Sequence, residues 1–414
     1  MKVCAVICEL NPFHNGHEYL FRTARKITGA DHLIAVMSGD FVQRGLPAIC
    51  DKYARCKMAL DGGADLVIEL PVMYATASAD YFAQGAVSLA DSLGVVDFLV
   101  FGSECGDLEL LRSCAGLREE SDPGLHILSQ GNDSDKTKNF RISKLLREGY
   151  SYAKAYAEVT GNEFASNDML AVRYIRSLDL IGSSIEPVCI KRTGGDYHAS
   201  GANDLSALSV RRKIAGHSDF AHLVPKYTYR TLESIKGSAF PVFPNDLSIQ
   251  LHTLITRILE EEKSQDAYLC DCMDVSENIA GRIRSNIGKF KDYESYASLV
   301  HSKEYTKSRI FRALLHVLLD IKKTDYPDDS EECTASYARI LGFRKGASAL
   351  LSAVRESCII PVISKAADAA SILDDEEMYL FSKDITAANL FDMACVFKYG
   401  KDPVHDFAKE VVIV

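Results

Sequence analysis

Five short apolar runs rich in β-branched residues recur through the first half of the chain, at Val3 to Ile7, Leu33 to Met37, Leu66 to Leu70, Phe98 to Phe101 and Pro187 to Ile190. Runs that are apolar throughout, rather than at alternate positions, suit strands covered on both faces. Between the first four lie stretches with helical spacing: Leu20, Ala24 and Ile27; Tyr53, Met58 and Leu60; Phe82, Val87 and Leu89. Such alternation over about 200 residues predicts an α/β fold built on a doubly wound parallel sheet.

Ligands on such sheets bind past the carboxyl ends of the strands. The segments there read E-L-N-P-F-H-N-G-H, S-G-D-F-V-Q-R-G, E-L-P, G-S-E-C-G-D and K-R-T-G-G-D-Y-H. Four of the five are richer in glycine and polar groups than a plain connection requires.

Two prolines in Ser238 to Asp246 mark a junction, and Tyr326 to Ser330 a second break. Between them Leu247 to Glu262, Ser276 to Ile287, Tyr293 to Leu299 and Thr306 to Ile321 have helical patterning. The expected division is a catalytic domain over 1–236, a helical, locally basic module over 237–326 and a small mixed portion over 327–414.

Composition narrows the function class. Of 414 residues 47% are hydrophobic and 25% charged, as in ordinary globular proteins, and no apolar run has the length of a bilayer span. The opening MKVCAVICEL is apolar like a signal peptide core, but Glu9, Asn11 and Pro12 follow at once, which predicts a buried strand of a cytoplasmic protein. Twelve cysteines include no C-x-x-C pair, so neither a metal site nor a disulfide framework is expected. A net charge of −10 argues against attraction of the whole chain to nucleic acid, so any polyanion must meet a local patch.

His14-Asn15-Gly16-His17 falls where the first strand gives way to the first helix. Free N–H groups and the helix dipole favour a phosphate there. With 11 histidines and 26 glycines, an H-x-G-H match arises by chance roughly 0.02 times in such a chain. The glycine lets the backbone approach a ligand, and the spacing brings both imidazoles to the phosphates. The plain alternative is a pair of histidines that only cap a helix.

Several separated stretches then resemble one family: Asn11 to His17, Ser38 to Ile49, Gly63 to Pro71, Phe101 to Glu104, Ser166 to Leu170, Ile190 to Gly194 and, more weakly, Tyr305 to Arg309 and Leu341 to Phe343. They are similar to the HIGH-motif nucleotidylyltransferases and, among these, to the bacterial tRNA(Met) cytidine acetate ligases. The resemblance implies ATP and acetate as substrates and acetyl-adenylate as intermediate. It further implies acetylation of the N4 amine of the wobble cytidine in elongator tRNA(Met), with AMP and pyrophosphate released and Mg²⁺ accompanying the triphosphate.

It also implies catalytic roles for His14, His17 and Arg211. The last belongs to Ser206-Ala207-Leu208-Ser209-Val210-Arg211, a phosphate-binding turn in which Leu208 departs from the usual hydroxyl residue. ATP is expected on Ile7, Cys8, Glu9, Leu10, Asn11, Pro12, Phe13, His14, Asn15, Gly16, His17, Glu18, Tyr19 and Leu20, with Gly102, Asn167, Arg192, Ser206 and Ser209. Read plainly, Gly102 is a turn glycine, Asn167 an N-cap and Arg192 a surface ion pair. Asp40, Gln43 and Arg44 are candidate walls for the acetate or cytidine, and equally a capped, solvated loop.

For tRNA, residues 282–312 hold eight basic side chains against three acidic ones, a local excess of five positive charges. Arg282, Arg284, Lys289, Lys291, Lys307, Arg309 and Arg312 are the candidates, with Tyr293, Tyr296 and Tyr305 interleaved for stacking. Lys136 to Lys154, with Lys138, Arg141, Lys144 and Arg147, is a second patch. Two other functions fit the same site: an adenylyltransferase with a small-molecule acceptor, and a non-catalytic nucleotide- or RNA-binding protein.

Overall fold

The computed structural model describes residues 1–116, 141, 144–145, 152–161, 165–192, 206–261 and 267–414. The five apolar runs are all strands: β1 (Val3–Cys8), β2 (His32–Ser38), β5 (Leu66–Leu70), β6 (Phe98–Ser103) and β7 (Glu186–Lys191). They pair in parallel in the order β5-β2-β1-β6-β7. Alternate residues feed two cores. Val3, Ala5, Ile34, Val36, Leu66, Ile68, Leu99 and Phe101 pack on one face with the helices Ala79–Ser92 and Ser166–Leu180. Cys4, Val6, Leu33, Ala35, Met37, Val67 and Val100 pack on the other with α1 (Asn15–Thr28) and α2 (Lys52–Asp61). Continuous apolar runs are what a sheet covered on both faces requires.

From β1 the chain steps through β2 to β5, then returns to β6 and β7 on the opposite side of β1. The strand order therefore reverses beside β1, and the crevice at the carboxyl ends of β1 and β6 is where a doubly wound sheet takes its ligand. Glu9 to His14 leave one strand there and Glu104 leaves the other.

Beyond residue 236 the expected division is a helical module to 326 and a small mixed portion after it. Helices Ser248–Glu261, Glu277–Asn286, Tyr293–Val300 and Lys307–Leu319 form where expected. Further on, β8 (Ala338–Phe343) pairs antiparallel with β5, β9 (Val362–Ile363) pairs with β8, and β10 (Val412–Ile413) extends the sheet beyond it. The terminal portion thus completes the main sheet, and one core runs from Val3 through Val317 to Cys395. A helix over Asp375–Tyr399, opened by an Asp374/Glu377 capping box and closed by left-handed Gly400, also belongs to this region. Among the described residues no helix is long and apolar enough to cross a membrane.

A small antiparallel hairpin, β3 (Phe41–Val42) and β4 (Leu46–Pro47), links the crevice to the helical region. Its Gly45 has φ +72°, and a Cβ there would lie 2.3 Å from the Arg312 nitrogen. Gly45→Ala is therefore expected to cost at least about 1 to 3 kcal/mol from backbone conformation alone, read as a fall in Tm.

Candidate active site

The loop leaving β1 is fixed before it reaches the histidines. Leu10 has a φ of 49°, and the Asn11 Oδ1 accepts the Ile49 N–H at 2.7 Å. Leu10 and Phe13 are fully buried and hold the loop against the core on that face of the sheet. Arg55 is likewise buried and donates to the carbonyls of Glu9 at 2.8 Å, Ser38 at 2.9 Å, Cys50 at 3.1 Å and Gly39. A guanidinium fork thus splints the ends of β1 and β2, a role no local sequence pattern announces.

His14 is the N-cap of α1, and its Nδ1 accepts the Gly16 N–H at 3.0 Å. His17 sits at the third helical position and returns its Nδ1 to the His14 N–H at 3.2 Å. This is a capping box built from imidazoles, and its rings stack with centroids 3.8 Å apart. Capping and catalysis are thus compatible. With both Nδ1 atoms accepting, a neutral ring carries its proton on Nε2. Burial, then the charges of Arg192 and Arg211, lowers the His14 pKa to about 3. Burial, then His14 and Arg192, holds His17 well below the ordinary imidazole value. The pair offers two neutral N–H donors at the start of a helix.

Arg211 reaches over from helix Ala207–Ala215 and donates to the Asn11 carbonyl at 2.6 Å. Burial lowers its pKa, Glu9 opposing and Arg44 and Arg212 adding to the shift. Ser206 caps that helix by accepting the Ser209 N–H at 3.2 Å, and the Ser209 hydroxyl donates back to the Ser206 carbonyl at 2.9 Å. Leu208 is half-buried on the same turn.

Past β6 a second group converges. A Cβ on Gly102 would meet the Arg192 Cγ at 3.3 Å, so that side chain lies directly over the strand end. Asn167 donates its amide to Glu104 Oε1, and Arg192 Nε lies 3.6 Å from the same oxygen. Asp168, 1% exposed, accepts from the Ser103 hydroxyl and, at 3.1 Å, from the Cys105 N–H, so the turn after β6 is held rigidly. Neither Glu104 nor Asp168 stood among the expected site residues, although Glu104 closes the F-G-S-E stretch. Residues 193–205, with Thr193 and Gly194, lie outside the described residues.

Comparison with known proteins gives this arrangement its family. A sequence profile described as HIGH Nucleotidyl Transferase matches residues 1–402. A relative from Acetivibrio thermocellus named tRNA(Met) cytidine acetate ligase is 34% identical over the whole of both chains. One of that name from Caldanaerobacter subterraneus subsp. tengcongensis is 36% identical, covering 95% of this chain and 96% of the relative. The chain belongs to the tRNA(Met) cytidine acetate ligases, within the HIGH nucleotidyl transferases. A crystal structure of Thermotoga maritima TmcAL bound with alpha-thio ATP superposes with a TM-score of 0.84 at 29% identity, covering all of both chains.

Set in this ligase fold, the remaining candidates separate. Asp40 is 5% exposed and accepts the Lys52 N–H at 2.7 Å, with burial raising its pKa to about 7 against the pull of Lys52 and Arg55. It anchors a helix start and does not line an open pocket. Gln43 gives its N–H to Glu9 Oε1 at 3.0 Å, and exposed Arg44 acts on Arg211 through its charge, so the hairpin tip borders the crevice.

The basic segment needs a similar correction. Arg282 donates to the carbonyls of Leu299 at 3.0 Å, Val300 at 2.5 Å and His301 at 2.6 Å, closing a helix end. Arg312 forks onto Asp274 at 2.7 and 3.1 Å. Tyr293 and Tyr296 are buried and cannot stack on a base. Arg309 lies over the Tyr305 ring at 4.8 Å, and Arg284 is half-buried. Lys289, Lys291, Lys303 and Lys307 are exposed. In the second patch Lys136, Lys138 and Arg147 lie outside the described residues, while Arg141, Lys144 and Lys154 are exposed.

Proposed function

We propose that the protein joins acetate to the N4 amine of the wobble cytidine of elongator tRNA(Met), using ATP and passing through acetyl-adenylate. The observation that carries this reading is the full-length likeness to relatives named for that ligation, supported for ATP by the neighbour holding alpha-thio ATP. Geometry supports the activation half. An acetate oxygen attacks the α-phosphorus in line, the bond to the β-phosphate breaks, and the charge arising on pyrophosphate meets the Nε2–H groups of His14 and His17 and the Arg211 guanidinium. The cytidine amine then attacks the acetyl carbonyl, loses a proton, and AMP departs. No side chain is acylated.

The ATP set extends over the loop 7–20, Gly102, Asn167, Arg192, Ser206 and Ser209. Among the described residues no group of three His, Cys, Asp or Glu side chains is placed to hold a metal. Mg²⁺ therefore fits as a counter-ion carried by the triphosphate, whose charge it neutralises. Such a substrate set fits a cytoplasmic protein.

The direct test incubates pure protein with ATP, Mg²⁺ and isotope-labelled acetate, with and without tRNA, and analyses digested nucleosides by mass spectrometry. Label in N4-acetylcytidine only when ATP and tRNA are both present supports the reading. Pyrophosphate exchange without labelled tRNA keeps the activation half alone and favours a small-molecule acceptor.

The exposed lysines are the proposed tRNA contacts. The Lys289→Ala, Lys291→Ala, Lys307→Ala triple variant is expected to bind tRNA more weakly and to reduce the slope of log K against log salt by up to about 3, roughly one for each phosphate left without its lysine. An unchanged slope rejects this face. Arg312→Ala should instead destabilise the fold.

A further inference from the structure

We propose that Glu104 reads the ribose of the nucleotide, accepting a hydrogen bond from a sugar hydroxyl and so selecting a ribonucleoside triphosphate; the proposal rests on the ATP reading above. Glu104 is the first residue past β6, next to the strand end left open by Gly102. Its Oε1 is held by Asn167 and faced by Arg192. Its Oε2 is shielded from solvent and has no hydrogen-bond partner among the described residues. A buried carboxylate oxygen left without a donor is costly, and in a ligand crevice it marks where a donor is to arrive.

The chemistry of ATP identifies that donor. A carboxylate accepts and cannot donate, and it repels phosphates. The charge of Arg192 acts on both histidines, and the same side chain lies 3.6 Å from Glu104. The crevice thus runs from the histidines through Arg192 to Glu104, with the triphosphate at the first end and the uncharged nucleoside at the second. ATP carries donors only on the ribose hydroxyls and the N6 amine. Glu104, at the carboxyl end of a strand flanking the switch point, borders the crevice in which doubly wound folds take their ligand. Asn167 and the clamp of Asp168 on the 103–105 turn hold Glu104 in place.

The test is calorimetric titration of wild type and Glu104→Ala with ATP, 2′-deoxy-ATP, 3′-deoxy-ATP and ITP. Acetate-dependent pyrophosphate exchange is run in parallel. Wild type should bind one deoxy analogue roughly 10- to 100-fold more weakly than ATP, the size of a hydrogen bond to a charged group, and Glu104→Ala should bring that ratio near one. A ratio unchanged in the variant overturns the proposal and leaves Glu104 a structural ion pair. Equal binding of all ribose forms by wild type overturns it as well. A lost ATP-over-ITP preference with the ribose ratio intact moves the contact to the base. ATP binding without exchange rejects the adenylation reading alone.

Discussion

Substituting His14 or His17 by alanine is expected to lower acetate-dependent pyrophosphate exchange by about 10² to 10³-fold, the usual cost of removing one preorganised donor from developing charge. Alanine also removes a cap, worth about 1 kcal/mol, so a better pair of variants is His14→Asn and His17→Gln. Asparagine at an N-cap can accept the Gly16 N–H, and glutamine at the third position can complete a capping box. These variants keep the helix start and lose the imidazole donor. If both fold with near-native Tm and still turn over at near the wild-type rate, an imidazole is not needed at either position.

The same burial makes a pH prediction. His14 has a folded pKa of about 3 against about 6.5 unfolded. The unfolded chain therefore binds the proton first as pH falls. The stability held by the neutral ring is present above about 6.5 and is lost on acidification towards 3, by up to about 1.4 kcal/mol per pH unit. His14→Asn should be less acid-sensitive than wild type over that window. Equal acid sensitivity of the two would show that the ring is not held neutral.

What could be read from sequence follows the range of the forces involved. The five strands and the helices between them announce themselves because burial on two faces leaves continuous apolar runs. The histidine pair was legible because its cap closes within four consecutive residues. β8 was not, because a short strand with a glycine near its end acquires its place only by pairing with β5, some 270 residues earlier. Arg282 and Arg312 looked like RNA ligands because charge is visible in sequence while the carbonyls and the Asp274 carboxylate that engage them are not. Glu104 needed Asn167 and Arg192 beside it before its second oxygen had meaning.

The least legible feature predicts the largest loss of stability. Lys52, Glu69, Arg339 and Asp406 are each at most 3% exposed and come from α2, β5, β8 and the segment before β10. Lys52 lies 2.8 Å from Glu69 and 3.2 Å from Asp406, and Arg339 lies 3.1 Å from Glu69 and 2.7 Å from Asp406. The Tyr53 hydroxyl donates to Asp406 at 2.8 Å. Burial and Arg339 oppose the Lys52 charge, yet Glu69 and Asp406 outweigh them and raise its pKa. Burial opposes the Asp406 charge, but Lys52 and Arg339 hold its pKa at about 2. Two cations and two anions are thus balanced away from water, tying the last strands to the catalytic sheet. Replacing the four by apolar residues could be harmless, whereas removing one leaves an unpaired buried charge and costs about 3 to 5 kcal/mol, a large part of the roughly 5 to 15 kcal/mol that a domain has. Lys52→Met and Arg339→Met should each lower the midpoint of urea unfolding accordingly, and Lys52→Met with Glu69→Gln should cost less than the sum of the single changes. In wild type the Asp406 contribution is complete above about pH 4 and is lost as pH falls through about 2, and the Lys52 contribution is complete below about 10.5 and is lost on further alkalinisation. Asp406→Asn should remove the acid arm and free the C-terminal strand to proteolysis. A Lys52→Met protein within about 1 kcal/mol of wild type would mean that the balance does not hold the sheet closed.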